Sequence, residues 1–287
     1  MYNVSIVVND NIINLSNNKL FTLQNIEGLN PVNANINSNQ LTNMIGSVFN
    51  SASVGEREIT ISLAMNDYSN STRMLLNNYF LPSSKCKIIL DNYISDAYIE
   101  SNDYSVFDKK IIYQINLKCL DPYFDTNIQN SVLICNYENN FEFPAIFPTY
   151  GIPFGIIRSS NRTNVINKGN VRTGCIIEVI FNDDFEYGLK IENITTNQYM
   201  GFTEAYFEKG QVIIIDTRFG NKSIYSYNSI TQEVYNSLTT QLDVGSDWID
   251  LASGTNVICY SNQASAEIDL ENLVTVNVTF SEKVSGL

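Results

Sequence analysis

Arg57-Glu-Ile-Thr-Ile-Ser-Leu-Ala-Met65 decides the fold class. Ile59, Ile61, Leu63 and Met65 recur every second residue, the spacing at which side chains share one face of a strand, whereas a helical stripe would recur every three or four. Val4, Ile6 and Val8 repeat the pattern, as do Ile111, Tyr113, Ile115 and Leu117. Each run reads as a half-buried strand, so the chain is predicted to be mainly β.

Working outward, residues 26–60 open with Ile26-Glu-Gly-Leu-Asn-Pro31 and continue through Gly46-Ser-Val-Phe-Asn-Ser51. This polar stretch carries no recognisable strand or helix signal and reads as a long loop over 28–57. Compact domains rarely keep so long a segment unless it binds something or is disordered. Leu29, Val32, Ile36, Leu41, Met44, Val48 and Phe49 are spaced apolar anchors that argue against disorder. The stretch is therefore expected to be a contact surface.

On the other side of the opening strand, Asn70 and Ser71 can cap a helix. Leu75, Leu76, Tyr79 and Phe80 give it one apolar stripe, and Leu81-Pro82 stops it. One helix over 71–80 is expected to pack on a sheet. Strands follow at Cys86–Leu90, Ala97–Phe107 and Ile111–Leu120. Leu120-Asp-Pro-Tyr-Phe124 then closes the first half, because Pro122 cannot donate to a ladder. Beyond it, strands separated by turn residues recur without helices from Val165 to Phe280, the pattern of a β-sandwich. The 287 residues exceed one usual core. Two β-sandwich-like domains are expected, 1–130 with the helix and 135–287 without one.

Composition removes much chemistry. The chain has no histidine, which takes away Ser-His-Asp and Cys-His catalysis and histidine-based zinc sites. Glu138 with Glu142, and Asp121 with Asp125, are nominal carboxylate pairs of the sort a glycosidase needs, but nothing nearby marks them as anything but solvated acids. The five cysteines are widely spaced, without a Cys-x-x-Cys pair, and read as buried thiols rather than a disulfide framework or metal site. Asp243-Val-Gly-Ser-Asp-Trp-Ile-Asp250 lacks the alternating ligands and closing Glu of a calcium loop. Gly169–Gly174 is followed by a strand, not a phosphate-binding helix. No enzyme, cofactor or metal is expected. A net charge of −13 opposes binding to the outside of a nucleic acid, and an acidic wall would let DNA pass without sticking. No signal peptide or membrane-spanning run is found, so assembly in a cytoplasm without membrane insertion is expected.

Several of these pieces, taken in order, resemble the distal tail proteins of long-tailed bacteriophages of the siphophage type. The resemblance rests on Ile26-Glu-Gly-Leu-Asn-Pro31, Gly46-Ser-Val-Phe-Asn-Ser51, Arg57-Glu-Ile-Thr-Ile61, Arg73 with Leu75-Leu-Asn-Asn-Tyr-Phe80 and Pro82, and Leu120-Asp-Pro-Tyr-Phe124. Val165-Ile-Asn-Lys-Gly-Asn-Val-Arg-Thr-Gly174, Ile215-Asp-Thr217, Lys222-Ser-Ile224 and Gly254-Thr-Asn-Val-Ile258 extend it over the second half. It implies a structural virion protein of the tail tip or baseplate: a homo-oligomeric ring, usually hexameric, formed by the N-terminal domain. Such a ring lies between the tail tube protein and the tail-associated hub protein, and passes the tape measure protein and then DNA. The C-terminal domain is implied to be galectin-like, of jelly-roll type, and to carry receptor-binding or other baseplate proteins or to contact host sugar.

Within that frame Leu29, Pro31, Val48 and Phe49 are expected at a subunit interface, with Arg57 fixing the return to the strand. A galectin-like glycan-binding role is the rival, with Trp248 as its candidate stacking residue. The equivalent adaptor of a contractile phage or a phage-tail-like bacteriocin is a further alternative.

Overall fold

The computed structural model describes residues 3–40, 42, 45–105, 110–134, 136–139, 155–158, 161–202, 206–231, 234–235, 237–263, 270 and 273–287. The chain forms two compact units, Met1–Ile128 with Lys283–Leu287, and Gln129–Glu282. The division falls at 128/129, and residues 283–287, which the sequence reading gives to the second domain, belong to unit 1.

Unit 1 contains β1 (Val4–Val8), β2 (Asn11–Asn14), β3 (Phe21–Glu27), β4 (Ala34–Asn39), β5 (Val48–Val54), β6 (Arg57–Met65), α1 (Asn70–Tyr79), β7 (Lys85–Leu90), β8 (Tyr93–Asp103), β9 (Ile112–Cys119) and the start of β10 (Phe124–Leu133). Seven strands form one antiparallel sheet in the order β2-β1-β7-β8-β9-β6-β3. β8 is long enough to serve three neighbours, the start of β10 pairing at Tyr93 and Ile94. Its residues 93–98 pair with β7 and its residues 98–103 with β9, with a register shift between Ile99 and Ser101. Such a bulge bends and twists a strand.

The inward residues of the alternating strands make the core: Ile6, Ile59, Ile61, Leu63, Ile88, Tyr113, Ile115 and Leu117 are buried. Helix α1 adds Leu76 and the following Phe80 to the same cluster. Ser69 caps the helix, its Oγ accepting from the Thr72 amide, while Asp67 accepts from the Thr72 and Ser69 hydroxyls at 2.6 and 2.8 Å. These bonds hold the Asp67 carboxyl below the usual carboxylate range.

Unit 2 contains the rest of β10, then β11 (Asn136–Asn139), β12 (Gly155–Arg158), β13 (Arg162–Asn167), β14 (Thr173–Gly174), β15 (Ile176–Phe181), β16 (Leu189–Asn193), β17 (Gln198–Phe202), β18 (Gln211–Asp216), β19 (Ser223–Asn228), β20 (Val234–Tyr235), β21 (Asp250–Leu251), β22 (Gly254–Asn262) and β23 (Val274–Val284). One sheet runs β23-β15-β18-β19-β20 and another β13-β22-β16-β17. Val165, Ile191, Met200 and Ile258 from the second share a buried cluster with Ile177, Val179, Ile213, Ile215, Val276 and Val278 from the first. The unit is therefore a two-layer β-sandwich. Buried Asn193 and Asn256 tie its edge loops: Asn193 Nδ2 donates to the Asp250 carbonyl at 2.8 Å and to Asn256 Oδ1 at 3.1 Å. Asn193 is fully buried, so its Asn-Ile-Thr tripeptide serves the fold.

The expected fold class holds, a mainly β chain with one α-helix among the described residues. Cys86, Cys119 and Cys175 are buried free thiols and Cys259 is half-buried. Burial pushes the Cys86 and Cys175 thiols up to about 12.

Candidate assembly surface

The segment expected to be an unstructured loop is instead a two-stranded antiparallel arm. β4 pairs with β5 from Ala34↔Val54 to Asn39↔Val48, with a register shift between Asn37 and Ser38 that leaves Asn50 as the extra residue. Directly opposed residues point to the same side. One face therefore carries Ala34, Ile36, Ser38, Phe49, Ala52 and Val54, the other Asn35, Asn37, Asn39, Val48, Ser51 and Ser53. Every residue of both strands is exposed. Ile36 is 68% exposed, Phe49 64%, Val48 46% and Val54 40%. From Gly28 to Gly55 there is no charged side chain.

The arm leaves unit 1 through a fixed root. Gly28 has φ of 88°, and a Cβ there would lie 1.9 Å from the Glu58 carbonyl oxygen. Only glycine fits both the left-handed backbone and the close crossing over β6. Gly28→Ala is expected to cost at least about 2 kcal/mol of unit 1 stability, read as a lower midpoint in urea.

Arg57 secures the other side of the root. Its Nε donates to the Pro122 carbonyl at 2.7 Å, Nη1 to the carbonyls of Gly28 (2.5 Å) and Asn30 (2.7 Å), and Nη2 to the Ser285 carbonyl at 2.6 Å. The guanidinium carbon lies 4.4 Å from the centre of the Phe124 ring. Burial lowers the Arg57 pKa, opposed by the neighbouring Cys119 and Asp121.

The five residues picked out for an interface thus separate. Val48 and Phe49 are exposed on the arm, and Pro31 is exposed at its root. Leu29 is half-buried and packs on the unit 1 core. Arg57 is 1% exposed with its donors spent on the chain's own carbonyls, so it sits inside the strand's return and not on an exposed surface. Ile36 and Val54 belong with Phe49, a grouping the sequence alone does not mark. The clue is their place opposite Ala52 and Ala34, visible only once the strands are paired.

The remaining candidates are structural or outside the described residues. Asp121 and Asp125 both face Lys283, which bonds Asp121 and lies 3.8 Å from Asp125, so an ammonium separates this nominal pair from acid–base duty. Glu142 lies outside the described residues. Asp243 accepts from Gln263 Nε2 at 2.8 Å at a turn, and no group of potential metal ligands occurs among the described residues. Trp248 is half-buried against the unit 2 core, with the Lys222 ammonium 5.5 Å from its ring centre, so it is not an open stacking platform. The acidic excess is larger in unit 2, with 18 Asp and Glu against 8 Lys and Arg, than in unit 1, with 12 against 9.

Residues 168–283 match the family model of the siphovirus-type tail component, C-terminal domain. Over those residues the chain is similar to that tail-component family. Its fold extends the likeness to the first half. The structure of Dit (gp 19.1) of phage SPP1, described as a paradigm of hub adsorption apparatus in phages infecting Gram-positive hosts, covers 98% of this chain and 98% of its own at a TM-score of 0.67 and 13% identity. A chain of the phage P2 baseplate, in its activated conformation with Ca, covers 100% of both at a TM-score of 0.50 and 10% identity. At such identities the likeness is one of fold. No curated relative matches by sequence. The resemblance to distal tail proteins is thereby met by the family model over residues 168–283 and by fold across the chain.

Proposed function

We propose that this chain is the distal tail protein of a siphophage-like particle, a structural and non-enzymatic virion component. In this reading copies close into a ring, a hexamer by family likeness, that joins the tail tube to the hub of the tail tip. The channel passes the tape measure protein and then DNA, and unit 2 is directed towards other baseplate or receptor-binding proteins.

The observation that carries the reading is the arm. An isolated two-stranded hairpin is marginal in water, and here Ile36, Phe49 and Val54 stand exposed on one face of it. Docking that face on the next copy would bury these side chains. Repeated head to tail, one contact of this kind closes a ring. Pro31 lies at the root of the same contact, Val48 turns to the opposite face beside its tip, and Leu29 and Arg57 hold it from inside.

The decisive experiment is the native mass of the purified protein together with electron micrographs. A ring with an open centre is expected; a chain that stays single at high concentration and with purified tail tube protein would overturn the reading. Because the arm between Gly28 and Gly55 is uncharged, raising salt from 0.05 to about 1 M is expected to leave the ring intact or strengthen it. Dissociation by salt, followed by sedimentation, would mean that ion pairs rather than the arm hold the copies.

A further inference from the structure

Residues 283–287 interlock with the arm root at each successive position. The Lys283 ammonium bonds Asp121, which immediately precedes the Pro122 whose carbonyl Arg57 holds. Val284 and Leu287 pack on the unit 1 core. The Ser285 carbonyl takes Arg57 Nη2 at 2.6 Å. A Cβ on Gly286 would lie 2.5 Å from the Pro31 nitrogen and 2.9 Å from the Asn30 carbonyl carbon, so the backbone passes against the root at a distance only glycine permits. The Leu287 amide donates to the Leu29 carbonyl at 3.0 Å.

Among the described residues the arm has no support of this kind for its two strands beyond the root. Its own strands pair only with each other, and all their side chains are exposed. Its direction is therefore set where it leaves unit 1, at Gly28–Pro31 and Arg57. Of the four carbonyls around Arg57, those of Gly28 and Asn30 belong to the root itself, so the outside carbonyls are those of Pro122 and Ser285, beside the Phe124 ring and the Lys118–Glu56 ion pair on the return leg. Of these two, Ser285 lies in the segment that also packs against Pro31 and bonds Leu29.

We infer that residues 283–287 are a keystone that fixes the direction of the arm, so that the arm is set for docking only when this segment has seated. The segment follows all of unit 2 in the chain, and a chain interrupted before residue 283 therefore carries a loose arm. A preset arm loses less freedom on docking, which favours association. This consequence for assembly rests on the ring reading above, whereas the stiffness of the arm does not.

The test measures that stiffness in the full chain. Nitroxides at Ser51→Cys on the arm and Gln114→Cys on β9, with Cys135 and Cys259 replaced by serine, report one distance by pulsed electron resonance, on protein diluted with unlabelled copies. A single narrow distribution is expected for the intact segment. Gly286→Val keeps the segment's length but blocks its seat, and deletion of Ser285–Leu287 removes it. Both are expected to broaden the distribution about twofold or more, with the far-ultraviolet spectrum unchanged. An unchanged width in both variants overturns the inference, and so does loss of the unit 1 fold in both, since the segment would then be ordinary core. The distance is read whether or not rings form, so a narrow, keystone-dependent arm on a chain that never assembles would count against the ring reading alone.

Discussion

A Phe49→Asp chain is expected to lose self-association by at least about a hundredfold at each contact while melting at the unaltered temperature. Phe49 is 64% exposed and shares its face with Ile36 and Val54. Docking that covers it should gain about 1.5–3 kcal/mol from its ring, and leaving a carboxylate there adds a desolvation cost of similar or greater size. At about 1.4 kcal/mol per tenfold, the two exceed a hundredfold together. The isolated fold is insensitive because the side chain touches no buried group, and exposed substitutions usually change stability by less than about 0.5 kcal/mol. Native mass and thermal unfolding on one preparation give the answer. Intact rings at micromolar concentration would show that this face of the arm is not the contact; a fall in melting temperature would show that Phe49 belongs to the fold. Ser51→Asp on the opposite, polar face is the control and should assemble normally.

The arm also shows where the sequence stops being legible. β6 and β9 are plain in the sequence because every second residue, Ile59, Ile61, Leu63 and Met65 or Tyr113, Ile115, Leu117 and Cys119, faces a core. β4 and β5 face no core. Asn35, Asn37 and Asn39 have low strand propensity, Ala34 and Ala52 are too small to mark a stripe, and Asn50 shifts the period of two midway. The apolar anchors are visible as spaced residues, but their shared face follows only from the register. Arg57 illustrates the converse limit. Residue 57 can be suspected of holding the strand's return, yet its cage comes from carbonyls at 28, 30, 122 and 285, and backbone carbonyls have no sequence signature. The segment 283–287 reads as part of the second domain for the same reason: continuity along the chain hides a return to an earlier core. Family resemblance supplies the tail-protein reading that composition supports only by exclusion, through the missing histidine and the absence of metal-ligand spacing.

Arg57 is expected to be the most damaging single position in unit 1. Arg57→Leu keeps much of the apolar stem but strips the donors from four carbonyls that the folded root holds together. Hydrogen bonds to a charged group contribute about 1.5–3 kcal/mol each. They share one side chain and are not additive, so the sum is bounded by what breaking a buried charged network costs, about 3–5 kcal/mol. For a unit of this size that corresponds to a drop of roughly 10–20 °C in its melting temperature. The effect should not vary between pH 6 and 9: burial lowers the Arg57 pKa, but a guanidinium starts so high that it stays charged throughout that range. Arg57→Lys separates charge from geometry. One ammonium has three donors and no planar fork, so it cannot span the Pro122, Gly28, Asn30 and Ser285 oxygens at once, and it should recover less than half of the lost stability. Calorimetry of the three chains decides the matter. If the Arg57→Lys chain melted with the unaltered protein, the site would need only a positive charge beside Asp121 and Phe124, and the forked clamp on the arm root would not be what holds it.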